Sequence, residues 1–152
     1  MQRTTIKQVM SKRQWLGALG AIALFTGGCM SMMKGVPSDL DYSTARATEN
    51  GAFRLSYKTD PALIPISKLH QWTIHLETPE GKPIDGATIT VDGDMPQHGH
   101  GLPTRPEVTQ NLGNGDYRVE GMKFQMGGWW IVNFGITADG KRDQATFNLM
   151  LK

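Results

Sequence analysis

Apolar and polar residues alternate with a period of two from residue 52 to the end of the chain, which is the pattern of strands with one buried face. In the first segment, Phe53, Leu55 and Tyr57 alternate with charged and polar residues. Seven such segments, separated by turn-forming residues, lie at 53–58, 72–77, 87–92, 107–109, 117–126, 130–136 and 145–151. Because no helical pattern of comparable length competes, we predict an all-β fold, an immunoglobulin-like antiparallel β-sandwich of about seven strands.

The order of these segments also predicts which loops lie together. If successive strands alternate in direction, the start of the second strand near His70 lies at the same end of the sandwich as the loops at 94–105 and 125–128. This arrangement requires the short segment at 107–109 to be a strand. The loops expected at the opposite end are those at 78–86, 110–115 and 138–141.

The first 28 residues are typical of an export signal. A basic start with no acidic residue is followed at 15–25 by an apolar stretch, which is too short to span a bilayer because a spanning helix needs about 20 residues. Small residues at 26–28 then precede Cys29, an arrangement that resembles a bacterial lipobox. The resemblance implies that Cys29 carries lipid, which holds the protein on a membrane. The alternative is a buried free Cys at the end of a core helix.

Three parts follow along the chain. We predict a lipoprotein signal peptide at 1–28, a lipid-anchored tether without sustained periodicity at 29–50, and the sandwich domain at 51–152. The predicted location is the cell envelope, with the domain facing the periplasm. Met30 stands directly after Cys29, where an Asp would signal retention in the common Gram-negative pattern, so the outer membrane is favoured over the inner one.

Charge and motifs exclude several classes of protein. The 152-residue chain has 16 basic and 14 acidic residues, and four of the basic ones lie in the leader, which leaves 12 against 14 in the remainder. That balance does not favour binding to nucleic acid. A single Cys excludes an internal disulfide. No nucleophile elbow, zinc-protease helix, phosphate-binding Gly loop or Cys-X-X-Cys pair appears, so we do not predict an enzyme.

The loop at 94–103 has the most unusual composition, with two His, one Met, two Gly and two Pro. Imidazole and thioether ligands together favour copper, and the Gly residues let the backbone turn so that both imidazoles face one point. Thioethers are poor ligands for zinc, which makes zinc less favoured. The alternative is a structural loop whose imidazoles bind backbone groups, with Met126 in the core. The candidate copper ligands are His98, His100, Met95, Met126 and His70.

Four stretches of the chain resemble the YtkA-like domain family, which is related to FixH-like proteins. They lie at 70–72, 95–101, 115–126 and 128–130, and the Met-Pro-Gln-His-Gly-His-Gly stretch is the most specific. The resemblance implies an exported or membrane-anchored sandwich domain, linked in some members to copper handling or terminal oxidase assembly. The positions that match the family are Met95, His98, His100, Met126 and Trp130.

Two functions of different classes remain open. The first is a periplasmic copper-binding lipoprotein that holds the metal or passes it to a partner protein. The second is a metal-free interaction module that presents the same end of the sandwich, with Leu102 and Trp129, to another protein of the cell envelope.

Overall fold

Strands account for most of residues 35–152, the part of the chain that the computed structural model describes. All seven predicted strands are present, and two short strands are added. The predicted leader, the lipidation site Cys29 and the first residues of the tether lie outside the described residues. Within 35–152 no helix is long and apolar enough to cross a membrane. The strands are β1 (Ala45–Ala47), β2 (Arg54–Asp60), β3 (His70–Glu77), β4 (Thr88–Met95), β5 (His100–Gly101), β6 (Glu107–Gly113), β7 (Asp116–Met122), β8 (Gly128–Ala138) and β9 (Lys141–Leu151).

The strands form two antiparallel layers that are joined at one corner. One layer has the order β1-β2-β3-β7-β6, and the other has the order β4-β8-β9 with β5 paired to β4. The only register pair between β4 and β6 is Thr90 with Glu107. An all-β antiparallel sandwich is therefore confirmed, and β6 confirms the strand that the arrangement of the loops required.

Aromatic side chains fill the space between the two layers. Tyr57 of β2 meets the edge of Phe147 of β9, with ring centroids 5.0 Å apart. Trp72 of β3 lies 6.4 Å from Phe134 of β8. Because each of these residues follows the alternation of its strand, the apolar face of one layer is buried against the apolar face of the other.

The three loops that were predicted to share one end do so. His70 pairs with Met122 at the end of β7, and the side-chain amide of Gln125 donates to the carbonyl of Gly101 at 3.3 Å. We call this end the loop end, defined by residues 61–70, 96–106 and 123–128. At the opposite end, the backbone N–H of Leu76 donates to the carbonyl of Gly115.

The folded part of the chain begins before residue 51. Strand β1 lies within the segment that was assigned to the tether, and the N–H of Glu49 donates to the carbonyl of Gln144 in β9. The carboxylate of Asp143 accepts hydrogen bonds from the Thr48 hydroxyl at 2.6 Å and from the N–H of Ala52 at 3.1 Å. These bonds join the layer that ends at β1 to the layer that ends at β9.

Asp143 is 4% exposed, yet it is held in its charged form. Burial raises the pKa of this carboxyl, but hydrogen bonds from Thr48, Ala52, Gln144 and Asn50 outweigh that effect and place the pKa well below its usual range. The carboxylate therefore stabilises the fold at neutral pH.

We expect Asp143→Asn to lower the melting temperature by several degrees at pH 7, because an amide NH2 group would face hydrogen-bond donors. The pH dependence should change as well. A carboxyl whose pKa is lowered by folding stabilises the protein fully at pH values above its pKa in the unfolded chain, about 3.9. That stabilisation is lost as the pH falls from there towards the lower pKa of the folded protein. Thermal unfolding between pH 7 and pH 3 should show this loss in the unsubstituted protein and less of it in the variant.

Asp139→Asn is the matched control, because Asp139 lies exposed in the β8–β9 turn. Its φ of 50° is a conformation that Asn also adopts readily. A melting temperature equally lowered in both variants would contradict a specific role for Asp143.

Candidate metal site

A tight turn between β4 and β5 carries the two histidines of the candidate site. The carbonyl of Met95 accepts hydrogen bonds from the N–H groups of His98 and Gly99, both at 2.9 Å, and Met95 pairs with His100 across the hairpin. Gly99 has a φ of 65°, the left-handed conformation that residues with a side chain rarely adopt. The backbone thus reverses within four residues and leaves both imidazoles at the surface.

The imidazole rings of His98 and His100 lie side by side. Their centroids are 5.6 Å apart with 38° between the ring planes, and both residues are exposed. Metal–nitrogen bonds of about 2.0 Å are usual for imidazole, so rings at this separation can share one ion after small side-chain rotations. The structure therefore brings together the two residues that the loop composition singled out.

Met95 lies at the base of the turn but inside the protein. It is 1% exposed and belongs to the hydrophobic core. Its methyl group packs so closely on Gly128 that a Cβ at that position would lie 2.5 Å away. The side chain of Met95 therefore fills the core beneath the histidine turn.

Met126 lies on the neighbouring loop, between β7 and β8, with its side chain 37% exposed. The carbonyl of Met126 accepts a hydrogen bond from the indole N–H of Trp130 at 3.1 Å. Gln125, the preceding residue, connects this loop to β5 through Gly101. Met126 is thus an exposed thioether on a loop that contacts the histidine hairpin.

His70 is buried at the start of β3, with 8% of its surface exposed. Its ring packs against Phe124 and Trp72, with centroids 5.8 and 6.4 Å away. The Nδ1 atom lies 3.2 Å from the carbonyl oxygen of Lys68. Since a carbonyl only accepts, Nδ1 carries the proton and Nε2 carries the lone pair.

The Nε2 atom of His70 is buried and has no hydrogen-bond partner among the described residues. Burial lowers the pKa of His70, and the hydrogen bond to Lys68 opposes this shift only in part. A neutral imidazole that donates one nitrogen to a carbonyl and keeps the other as a lone pair is the form that binds metals in proteins. His70 therefore has the chemistry of a ligand, although it is held in a different layer from the histidine turn.

Three residues in or next to the loop end have surroundings that the sequence pattern does not indicate. Gln125 has no motif to mark it, because its role depends on a contact with β5; its Oε1 atom is buried without a partner within residues 35–152. Trp129 is 9% exposed and donates its indole N–H to Asn148, so it offers little surface to a partner protein. Leu102 is partly buried against the core.

No three His, Cys, Asp or Glu side chains within residues 35–152 converge as a metal site.

Comparison with known families assigns the chain. The model of the YtkA-like family matches residues 49–135. The chain belongs to the YtkA-like family. The match begins at the turn before β2 and ends within β8, so it contains the histidine hairpin, Met126 and His70. No curated protein and no solved structure matches the chain significantly.

The two methionines of this YtkA-like domain should differ sharply in their effect on stability. We expect Met95→Ala to lower the free energy of unfolding by about 2–5 kcal/mol, because it leaves a cavity in the core. Met126→Ala truncates a side chain that is 37% exposed and lies outside the core cluster, so it should lower the free energy of unfolding by about 1 kcal/mol or less. Urea unfolding of the metal-free domain measures both values, and a small loss for Met95→Ala would contradict its role in the core.

Because burial lowers the pKa of His70, we expect this residue of the YtkA-like domain to stay neutral, with the proton on Nδ1, to a lower pH than an ordinary imidazole, whose pKa is about 6.5. Because the unfolded chain then binds more protons, the free energy of unfolding should decline as the pH falls from about 6.5 towards the folded-state value. His70→Phe should remove this part of the decline. Histidine NMR and urea unfolding at pH 7.5 and pH 5 provide the measurement, and a proton on Nε2 would contradict the assignment.

Proposed function

We propose that this YtkA-like protein is a copper-binding lipoprotein of the cell envelope that acts as a metal carrier or as an accessory of oxidase assembly. The observation that supports copper binding is the pair of exposed imidazoles, His98 and His100, whose centroids are 5.6 Å apart on a tight turn. The anchor is supported by the sequence alone, through the export signal and the lipobox-like residues before Cys29.

The ligand chemistry at the loop end supports copper over other metals. His binds copper in both oxidation states, and a thioether selects Cu(I). Met126 offers an exposed thioether on the loop that Gln125 connects to the histidine hairpin. His98, His100 and Met126 are therefore the ligands we propose for first contact with the metal.

The two buried candidates have a different place in this proposal. Met95 would reach a bound ion only if its packing on Gly128 were disrupted. His70 presents a free Nε2 lone pair, but to the interior. We propose that Met95 and His70 support the site by packing in the interior beside it. His70 would act as a further ligand if the loops around it open.

An incomplete and exposed set of ligands suits transfer better than storage. Two imidazoles and one thioether leave a coordination position for a ligand from a partner protein, so the metal can move by exchange of ligands instead of by release into water. This feature favours a carrier that delivers copper to a receiving protein.

Titration with copper tests the proposal directly. We expect a chain that starts at residue 35, and so keeps β1 and Thr48, to bind one equivalent of Cu(I) or Cu(II) in competition with chelators of known affinity. Losing a residue that only supports a ligand weakens metal binding about 10–100-fold. The double variant His98→Ala, His100→Ala should therefore lose more than about 100-fold.

His75→Ala is the matched control. His75 is a partly exposed histidine of β3 whose Nδ1 lies 2.7 Å from the Asp116 carboxylate, away from the histidine turn. The His75→Ala variant should bind copper with the same affinity as the unsubstituted chain. Equal affinity in the unsubstituted chain and the double variant would reject copper binding at the turn, and the interaction module without metal would become the better account.

A further inference from the structure

Exposed large apolar side chains concentrate at the loop end of the sandwich. Leu63 and Leu69, in the loop between β2 and β3, are 87% and 67% exposed. Met126 and Met150 are 37% and 41% exposed, and Met150 is the penultimate residue of β9. Side chains of this size are rarely left in water together unless they meet a partner or a lipid surface.

The opposite end has a different character. Its loops at 78–86, 113–115 and 138–141 consist mainly of Gly, Pro and charged or polar residues. Among the large apolar residues there, Leu112 is exposed, at 40%. Most of the exposed apolar surface therefore lies at the loop end of the domain.

Asp41 and Tyr42, which belong to the predicted tether, lie against the domain at the loop end. Tyr42 lines a groove of about 520 Å³ together with Leu63, Ile64 and Met150. The carbonyl of the preceding residue, Asp41, accepts a hydrogen bond from the side-chain amide of Asn148 at 3.1 Å. The chain thus enters the fold beside the exposed leucine loop.

The length of the connecting segment makes this entry point important. Residues 29–42 span at most about 45 Å when fully extended. Strand β9, with 11 residues, is about 36 Å long. If lipid on Cys29 held the opposite end at the membrane, the segment would have to run almost fully stretched along the domain. With the loop end at the membrane it needs little extension, which is favoured by chain entropy.

We propose that the loop end rests on the lipid bilayer, with Leu63 and Leu69 in its interface. This inference depends on the lipidation of Cys29 that forms part of the proposed function. Exposed Lys68 and Lys152 lie next to the apolar residues, where their ammonium groups can meet lipid phosphates. In this orientation His98 and His100 lie at the membrane-facing end of the domain, so a protein that receives the metal is one embedded in the same bilayer.

Site-specific fluorescence on the full lipidated chain tests the orientation. The variant Leu63→Cys is labelled with an environment-sensitive fluorophore and reconstituted into vesicles of phosphatidylethanolamine and phosphatidylglycerol that contain a lipid-borne quencher. Since interfacial side chains lie about 5–10 Å deep, we expect at least about twofold quenching at position 63. The matched control Leu112→Cys carries the same substitution at the opposite end and should be quenched little.

Each outcome separates the inference from the proposal on which it depends. A lipidated Cys29 has no free thiol, so labelling of the unsubstituted chain would show that the anchor is absent, and both statements would fall. If the unsubstituted chain is not labelled but quenching is equal at positions 63 and 112, the proposed orientation is wrong while the lipid anchor stands. Fluorescence at position 63 that is not quenched and that increases with the density of protein on the vesicles would indicate a second copy of the chain at this surface. That result would also contradict contact with lipid.

Discussion

The packing of aromatic rings between the two layers is the interaction on which the rest of the structure depends. Trp72 stacks on Tyr57 at 4.5 Å, and Tyr57 in turn meets Phe147 from the opposite layer. The indole N–H of Trp72 is buried without a hydrogen-bond partner among the described residues, so ring packing alone must outweigh a desolvation cost of about 1–3 kcal/mol. Because this packing aligns the strands face to face, it also decides which loops meet at each end.

The strands were predictable wherever one face is buried, whereas two of the three strands with no buried face were missed and the third, β6, was predicted over only three of its seven residues. The long strands bury every second side chain, so the alternation survives in the sequence. Strand β1 has three residues, of which only Arg46 is partly buried, and β5 has two exposed residues in a Gly-rich loop. Such short strands are formed by contacts with distant segments, as when Arg46 donates to the carbonyl of Thr146, and these contacts leave no periodic signal.

The candidate site was predictable to the extent that it is local in sequence. His98 and His100 are two residues apart, and the turn-forming Gly99 between them already indicates that both rings face the same side. The parity of the strands carried a second signal, because Met95 shares the alternation of Ile89 and His70 shares that of Trp72. Both residues are accordingly buried. The hydrogen bond from His70 to Lys68 and the contact of Gln125 with Gly101 depend on how the loops pack in three dimensions, which no pattern in one sequence reveals.

Exposed ligands and a membrane-facing orientation would reinforce each other in a carrier. In the proposed carrier, a histidine turn at the surface would exchange metal with a partner only while the two proteins touch, and an incomplete ligand set would give each encounter a modest strength. Confinement to one bilayer raises the effective concentration of two anchored proteins for each other, so weak encounters become frequent without any new contact between them. If Cys29 carries lipid, a tether that enters the fold beside the exposed leucines would add to this effect, because it would restrict the orientations in which the histidines face away from the bilayer. The value of the anchor would then lie in the geometry it imposes on the turn as much as in the location it gives the protein.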